Sequence, residues 1–198
     1  AGRNAHRTFI TAAALLDLEV DWLCGNKENH ISLCLTPSQV EEYFKNAATL
    51  PFALYLTSPD YLGNRLDIKN IAAVCKKYSV LLLIDNAHGA YLKFLNTSEH
   101  PIDLGADMCS DSAHKTLPVL TGGAYLHLSS RMEVLIGGQV KNALMLFGST
   151  SPSYLILQSL DSANTYLDTY KEKLAPFLEQ VNTLKQALLE YGYSIYGN

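Results

Sequence analysis

The sequence predicts an α/β fold of three layers, with a mainly parallel sheet carrying helices on both faces. Three observations carry this. Helical and strand signals alternate along the chain. The strand segments are continuous apolar runs, as in strands buried on both faces, rather than alternating ones. The segments between them have the one-sided apolar spacing of helices that cover a sheet.

The elements follow in order. Thr36-Pro37-Ser38-Gln39 reads as a helix start, with Thr36 as N-cap, Pro37 at the first position and Gln39 completing a capping box; the helix is expected to run to about Thr49. Residues 52–57 form an apolar strand, and 58–64, rich in turn formers, a loop. Asp67 caps the next helix, whose Ile68, Ile71, Ala72 and Cys75 share one face. A second apolar strand covers 80–84, a short one 106–110 and another 123–128, entered through a turn at Gly122-Gly123. Ser130-Arg-Met-Glu133 reads as a further capping box. Residues 152–191 read as two helices broken near Tyr170 or Pro176, and 193–198 as a strand beginning. The expected organisation is a domain over 1–191, incomplete at its N-terminus, and the start of a smaller one at 192–198.

Composition narrows the function. With 198 residues, 48% hydrophobic and 17% charged, the chain suits one large globular domain. Its net charge of −4 is scattered and gives no basic stripe for nucleic acid. No apolar run approaches the roughly 18 residues of a membrane span. The four cysteines, Cys24, Cys34, Cys75 and Cys109, are far apart and read as reduced thiols of a cytoplasmic protein.

Two residues could carry chemistry together. Asp85 ends an apolar strand, at the carboxyl edge where open α/β sheets bind ligands. Lys115 lies 30 residues on, in a polar turn after the next strand. Alone, the aspartate reads as a turn cap and the lysine as a solvated charge. Together they match pyridoxal 5'-phosphate (PLP), which needs a lysine for its aldehyde and an acid opposite its pyridine nitrogen. A lysine in that role must be partly desolvated, so that its amine can lose its proton. His6, His88 and His114 are candidates for the ring face and the phosphate. His88 and His114 could instead join Asp85 around a metal, but no compact ligand spacing supports this, and no metal is expected. His30, His100 and His127 read as surface or sheet-edge residues.

Five ordered motifs resemble the major domain of the Orn/Lys/Arg decarboxylase family, PLP enzymes of fold type I. They are Gly-Arg-Asn-Ala-His-Arg at 2–7, Thr-Ser-Pro-Asp-Tyr-Leu-Gly at 57–63, Asp-Asn-Ala-His-Gly-Ala at 85–90, Ser-Ala-His-Lys-Thr-Leu-Pro at 112–118 and Ser-Thr-Ser-Pro-Ser-Tyr at 149–154. The resemblance implies a PLP-dependent transferase-like major domain, present as a fragment. It implies a Schiff base at Lys115, Asp85 on the pyridine nitrogen and His6 stacked on the ring. His88 would lie beside the ring as a second catalytic residue, Ser112 and His114 would meet the phosphate or its surroundings, and Ser149 and Thr150 would sit at a dimer interface touching the partner's cofactor.

The implied activity is decarboxylation of a basic amino acid (lysine, ornithine or arginine) by a homodimer or higher oligomer. The same Lys and Asp would also serve an aminotransferase or a lyase, and a truncated, non-catalytic segment is a third reading. The pattern departs at two places: Asp111 stands where glutamine is common, placing a negative charge near the expected phosphate, and Asn86 stands where glutamate is common and is expected to face away from the ring. The turn that cradles the phosphate is expected before residue 1.

Overall fold

The computed structural model describes residues 1–25, 32–148 and 151–195. Its centre is a four-stranded sheet of β1 (Ala53–Thr57), β2 (Leu81–Asp85), β3 (Met108–Asp111) and β4 (Tyr125–Leu128), in that spatial order. The first three strands are parallel, with Thr57 beside Asp85 and Asp85 beside Ser110; β4 runs antiparallel to β3. The sheet is therefore mainly parallel, as expected.

The helices are α1 (Arg7–Leu15), α2 (Pro37–Asn46), α3 (Ile68–Lys77), the short α4 (Ala113–Thr116), α5 (Ser130–Phe147), α6 (Tyr154–Leu167) and α7 (Tyr170–Glu190), with a 3-10 turn at Ala90–Phe94. The capping box of α2 is complete: Gln39 N–H donates to Thr36 Oγ1 at 3.3 Å, and Thr36 N–H to Gln39 Oε1 at 2.9 Å. The helix ends at Asn46, short of Thr49, because Ala47 is already extended. Asp67 caps α3 by accepting from Asn70 N–H.

The capping box expected at Ser130 needs correction. The cap is Ser129, whose Oγ accepts from Met132 N–H at 3.3 Å, so Glu133 falls one position beyond reach of a box. The break expected in the last helical stretch lies just before Tyr170, whereas α7 continues through Pro176. Residues 193–195 have no regular structure, and the remainder of the expected strand lies outside the described residues.

Strand alternation divides the sheet into two faces. Leu54, Leu56, Leu82 and Ile84 join Val40 and Phe44 of α2 and Ile68, Ile71, Ala72 and Cys75 of α3 in the main core. Tyr55 and Asp85 lie on the opposite face, where Phe9 of α1 stacks on Tyr55 with ring centroids 4.2 Å apart. A smaller cluster joins Ala90, Ala113 and Leu117 to Leu160, Leu167 and Tyr170, seating α6 and α7 beside the Lys115 segment. With helices on both faces, the sheet delivers its parallel strand ends to one edge, and the candidate residues gather there.

Candidate functional site

Asp85 is the last residue of β2 and is buried. Its Oδ2 accepts from the Tyr55 hydroxyl at 3.1 Å, and its Oδ1 from Ala87 N–H at 3.1 Å. Each oxygen keeps acceptor capacity for a further donor. Burial pushes the Tyr55 phenol well above its ordinary pKa, and the neighbouring Asp85 charge adds to this, so the hydroxyl remains a donor throughout the neutral range.

Lys115 sits in α4, a single turn, and is exposed rather than partly desolvated as its expected role requires, because this single turn lies at the open strand edge. Its Nζ lies 3.3 Å from His88 Nε2. An ammonium has no lone pair, so this contact requires His88 to present one at Nε2 and to carry its proton on Nδ1. His88 is held below its ordinary pKa, first by burial and then by the Lys115 charge, although Asp85 and Asp60 pull the other way. The structure thus sets a primary amine against an imidazole that burial and the lysine's charge bias toward its neutral form.

The loop after β1 closes this edge. Asp60 is buried, and its carboxylate accepts from Leu62 N–H and Asn64 N–H at 2.9 Å each, from Asn64 Nδ2 at 2.9 Å and from Ser32 Oγ at 2.5 Å. Burial alone would raise its pKa, but these donors outweigh burial and hold it low. The loop so fixed sets the exposed ring of Tyr61 beside His88, centroids 5.2 Å apart.

The other expected residues are placed as follows. His6 is exposed and caps α1, with Nδ1 accepting from Thr8 N–H at 3.3 Å. Ser112 is half-buried at the cap position of α4 and caps no backbone N–H. His114 is turned to the Gly123 carbonyl, to which its Nδ1 donates at 2.9 Å, leaving Nε2 for another partner. Ser149 and Thr150 lie outside the described residues, as does His30. The structure brings Asp85, His88 and Lys115 to one strand edge.

Asp111 and His100 require correction. Asp111 does not direct its charge toward the Lys115 segment. It shares a sheet face with Cys109 and, across the β3–β4 pair, with Tyr125 and His127, on the side opposite Asp85. Its Oδ2 meets His100 Nε2 and His127 Nε2 at 3.1 Å each, and its Oδ1 accepts from Asn86 Nδ2 at 2.7 Å and from Cys109 Sγ at 3.4 Å. Burial would raise the pKa of Asp111, but the hydrogen bonds from both histidines and Asn86 overcome it and hold the carboxyl far below its ordinary range. His100 is buried within this network rather than at the surface; only 4% of it is exposed.

His100, Asp111 and His127 offer ligand atoms within 4.8 Å of one another, a spacing that could suit a metal. The proton positions argue for a hydrogen-bond network instead. Ile102 N–H donates to His100 Nδ1 at 3.4 Å, so the ring proton sits on Nε2 and points at Asp111. Sequence reasoning missed this network because it depends on a cross-strand pair, Cys109 opposite His127, and on a loop residue, His100. It missed Tyr55 for a similar reason: strand parity gives the face, but only the β1–β2 register puts Tyr55 within reach of Asp85.

Comparison with known proteins bears on the family and the fold. The model of the Orn/Lys/Arg decarboxylase major domain matches residues 2–195. The chain is 34% identical over 197 residues to YaaO, an uncharacterised protein of Bacillus subtilis (strain 168), covering 93% of this chain and 39% of that protein. It is 30% identical over 179 residues to the arginine decarboxylase of the same organism, covering 87% of this chain and 35% of that one. Among solved structures, Sphingomonas wittichii serine palmitoyltransferase superposes with a TM-score of 0.70 at 17% identity, covering 98% of this chain and 46% of that chain. Mouse CSAD gives 0.66 at 20%, covering 96% and 42%. The chain spans well under half the length of the curated relatives it matches. It belongs to the Orn/Lys/Arg decarboxylase major-domain family and has the fold of the PLP-dependent enzymes of fold type I.

Proposed function

We propose that this chain is the PLP-binding part of an enzyme acting at the α-carbon of an amino acid, with Lys115 as the residue that bonds the cofactor. The observation that carries this is the arrangement at the strand edge: an exposed lysine 3.3 Å from a neutral histidine, beside a buried carboxylate with acceptor capacity to spare. The residues fit the group. Thr57 Oγ1, on the Asp85 face, is buried without a partner among the described residues and offers a further polar atom there. Ser112 and His114 Nε2 are the candidates for its phosphate, His6 for its ring face, and Ser149 and Thr150 for a partner's cofactor across a dimer interface.

When bound, PLP supplies an electron sink for the bond broken at the α-carbon. The chain's own part is positional and protonic. His88 Nε2 takes the proton that Lys115 must lose to act as a nucleophile. Asp85, oriented by Tyr55 and Ala87 N–H, holds a proton at the pyridine nitrogen. After the bond is broken, Lys115 or His88 returns a proton to the α-carbon.

Decarboxylation of a basic amino acid (arginine first, then lysine and ornithine) is the leading reaction, supported by curated relatives named arginine decarboxylase at 29–32% identity. A second reading, a fold type I transferase or lyase without decarboxylation, is favoured by a specific observation: proteins named O-phospho-L-seryl-tRNA:Cys-tRNA synthase match 57–59% of the chain at 28–32% identity. We read residues 1–191 as the cofactor-binding domain, 192–198 as the start of a smaller one, and the assembly as a cytoplasmic homodimer. The test uses the full-length protein. Borohydride reduction after PLP addition should fix the cofactor on Lys115, and Lys115→Ala should abolish both this adduct and the near-visible absorbance. CO₂ release from a panel of amino acids then separates the two reactions. An unlabelled Lys115 would overturn the assignment.

A further inference from the structure

We propose that Asp111 is a positioning residue for the strand edge, acting through Asn86 on the turn that carries Asp85 and His88. The inference rests on the cofactor site proposed above, but on different atoms. By strand parity Asp111 faces away from Asp85, so it cannot touch a ligand held there. It instead grips the residue that follows Asp85. Asn86 is fully buried; its N–H donates to Ser110 O at 2.9 Å, its Nδ2 to Asp111 Oδ1 at 2.7 Å, and its carbonyl accepts from Gly89 N–H at 2.8 Å. These three bonds define the turn over 85–89.

The Asn86 amide is oriented by charge. Its Nδ2 must face the carboxylate, since a flipped amide would set oxygen against oxygen. Its Oδ1 is consequently left buried without a donor among the described residues, aimed at Gly89, where a Cβ would stand 2.0 Å from it. A buried acceptor without a partner is costly and calls for compensation. The bond to Asp111 supplies it, and only an acceptor-only group with four open sites can serve Asn86, Cys109, His100 and His127 together. A neutral amide at position 111 has one oxygen and leaves at least one buried donor unmet.

The test compares wild type, Asp111→Asn, Asn86→Ala and the double variant, as full-length proteins with matching far-ultraviolet circular dichroism. Amide hydrogen exchange at 87–89 is read without cofactor, and PLP affinity by absorbance titration. Both single variants should speed exchange at 87–89 and weaken PLP about tenfold, the scale of one lost hydrogen bond to a charged group. The double variant should be no worse than the poorer single one, because both break the same link. Unchanged exchange and affinity in Asp111→Asn, or additive effects in the double variant, would overturn the proposal. Wild type that takes up no PLP, with Lys115 unlabelled, would instead remove the proposed function; the exchange data judge the Asp111–Asn86 link separately. Should Asp111→Asn fail to fold, Asn86→Ala alone decides: normal exchange at 87–89 refutes the link.

Discussion

At the residue scale, chemistry is set by which nitrogen or oxygen carries the proton. His88 must be neutral to accept from Lys115, and burial with the lysine's own charge keeps it so near pH 7. The folded pKa of His88 lies below its unfolded value, so its contribution is intact above the unfolded pKa of about 6.5 and is lost as pH falls through that value and below. We expect the melting temperature of the cofactor-free chain to drop between pH 7.5 and 5, and His88→Gln to remove a measurable part of that drop; identical pH profiles would refute it. Asp111 follows the same sign at lower pH. Its depressed pKa makes its contribution complete above the ordinary carboxylate range and lost only in strong acid. Asp111→Asn should therefore destabilise strongly at pH 7, by about 3 kcal/mol for a broken buried charge network, with the gap to wild type narrowing by pH 3 in denaturant titrations. Tyr55→Phe removes one donor to Asp85 and should weaken PLP binding severalfold, roughly 1 kcal/mol, while leaving the core packed.

At the element scale, local signals in the sequence were reliable wherever a motif satisfies itself. Thr36 and Gln39 close their own box, and Asp67 caps its own helix, so both starts were legible without any knowledge of the rest of the chain. The Ser129–Ser130 pair shows the limit: two adjacent serines both fit a cap, and the choice falls to whichever is extended, here Ser129. The placement of Asp85 and the Lys115 segment at one sheet edge was legible because both motifs lie next to strands that end there. Its supporting residues were not, since Tyr55, Asn86, His100 and His127 acquire meaning only through register and loop placement. Thr36→Ala should cost about 1 kcal/mol by denaturant melting, as a lost N-cap does, and should leave PLP binding untouched because α2 packs on the face away from Asp85. A change in cofactor affinity would show that the two faces are coupled.

At the scale of the whole molecule, the surface is larger than the mass requires. A compact monomer of 21.8 kDa would expose about 9,300 Å², whereas this chain exposes 12917 Å². The excess coincides with apolar side chains on the later helices: Val134 and Leu146 of α5 are 87% and 79% exposed, Tyr154 of α6 86%, and Phe177 of α7 57%. Scattered exposed leucines are ordinary, but a concentration of this kind marks surface that another body covers. Among the described residues no helix is long and apolar enough to cross a membrane. Cover by protein, from a second copy or from further chain, accords with the chain matching well under half of its curated relatives. The 198-residue chain on its own should therefore self-associate, its sedimentation coefficient rising with concentration. Val134→Glu combined with Leu146→Lys should shift it toward the monomer. The melting temperature should move little, because exposed positions of this kind usually change stability by no more than about 0.5 kcal/mol. A chain that stays monomeric at every concentration tested would show that these helices need no cover.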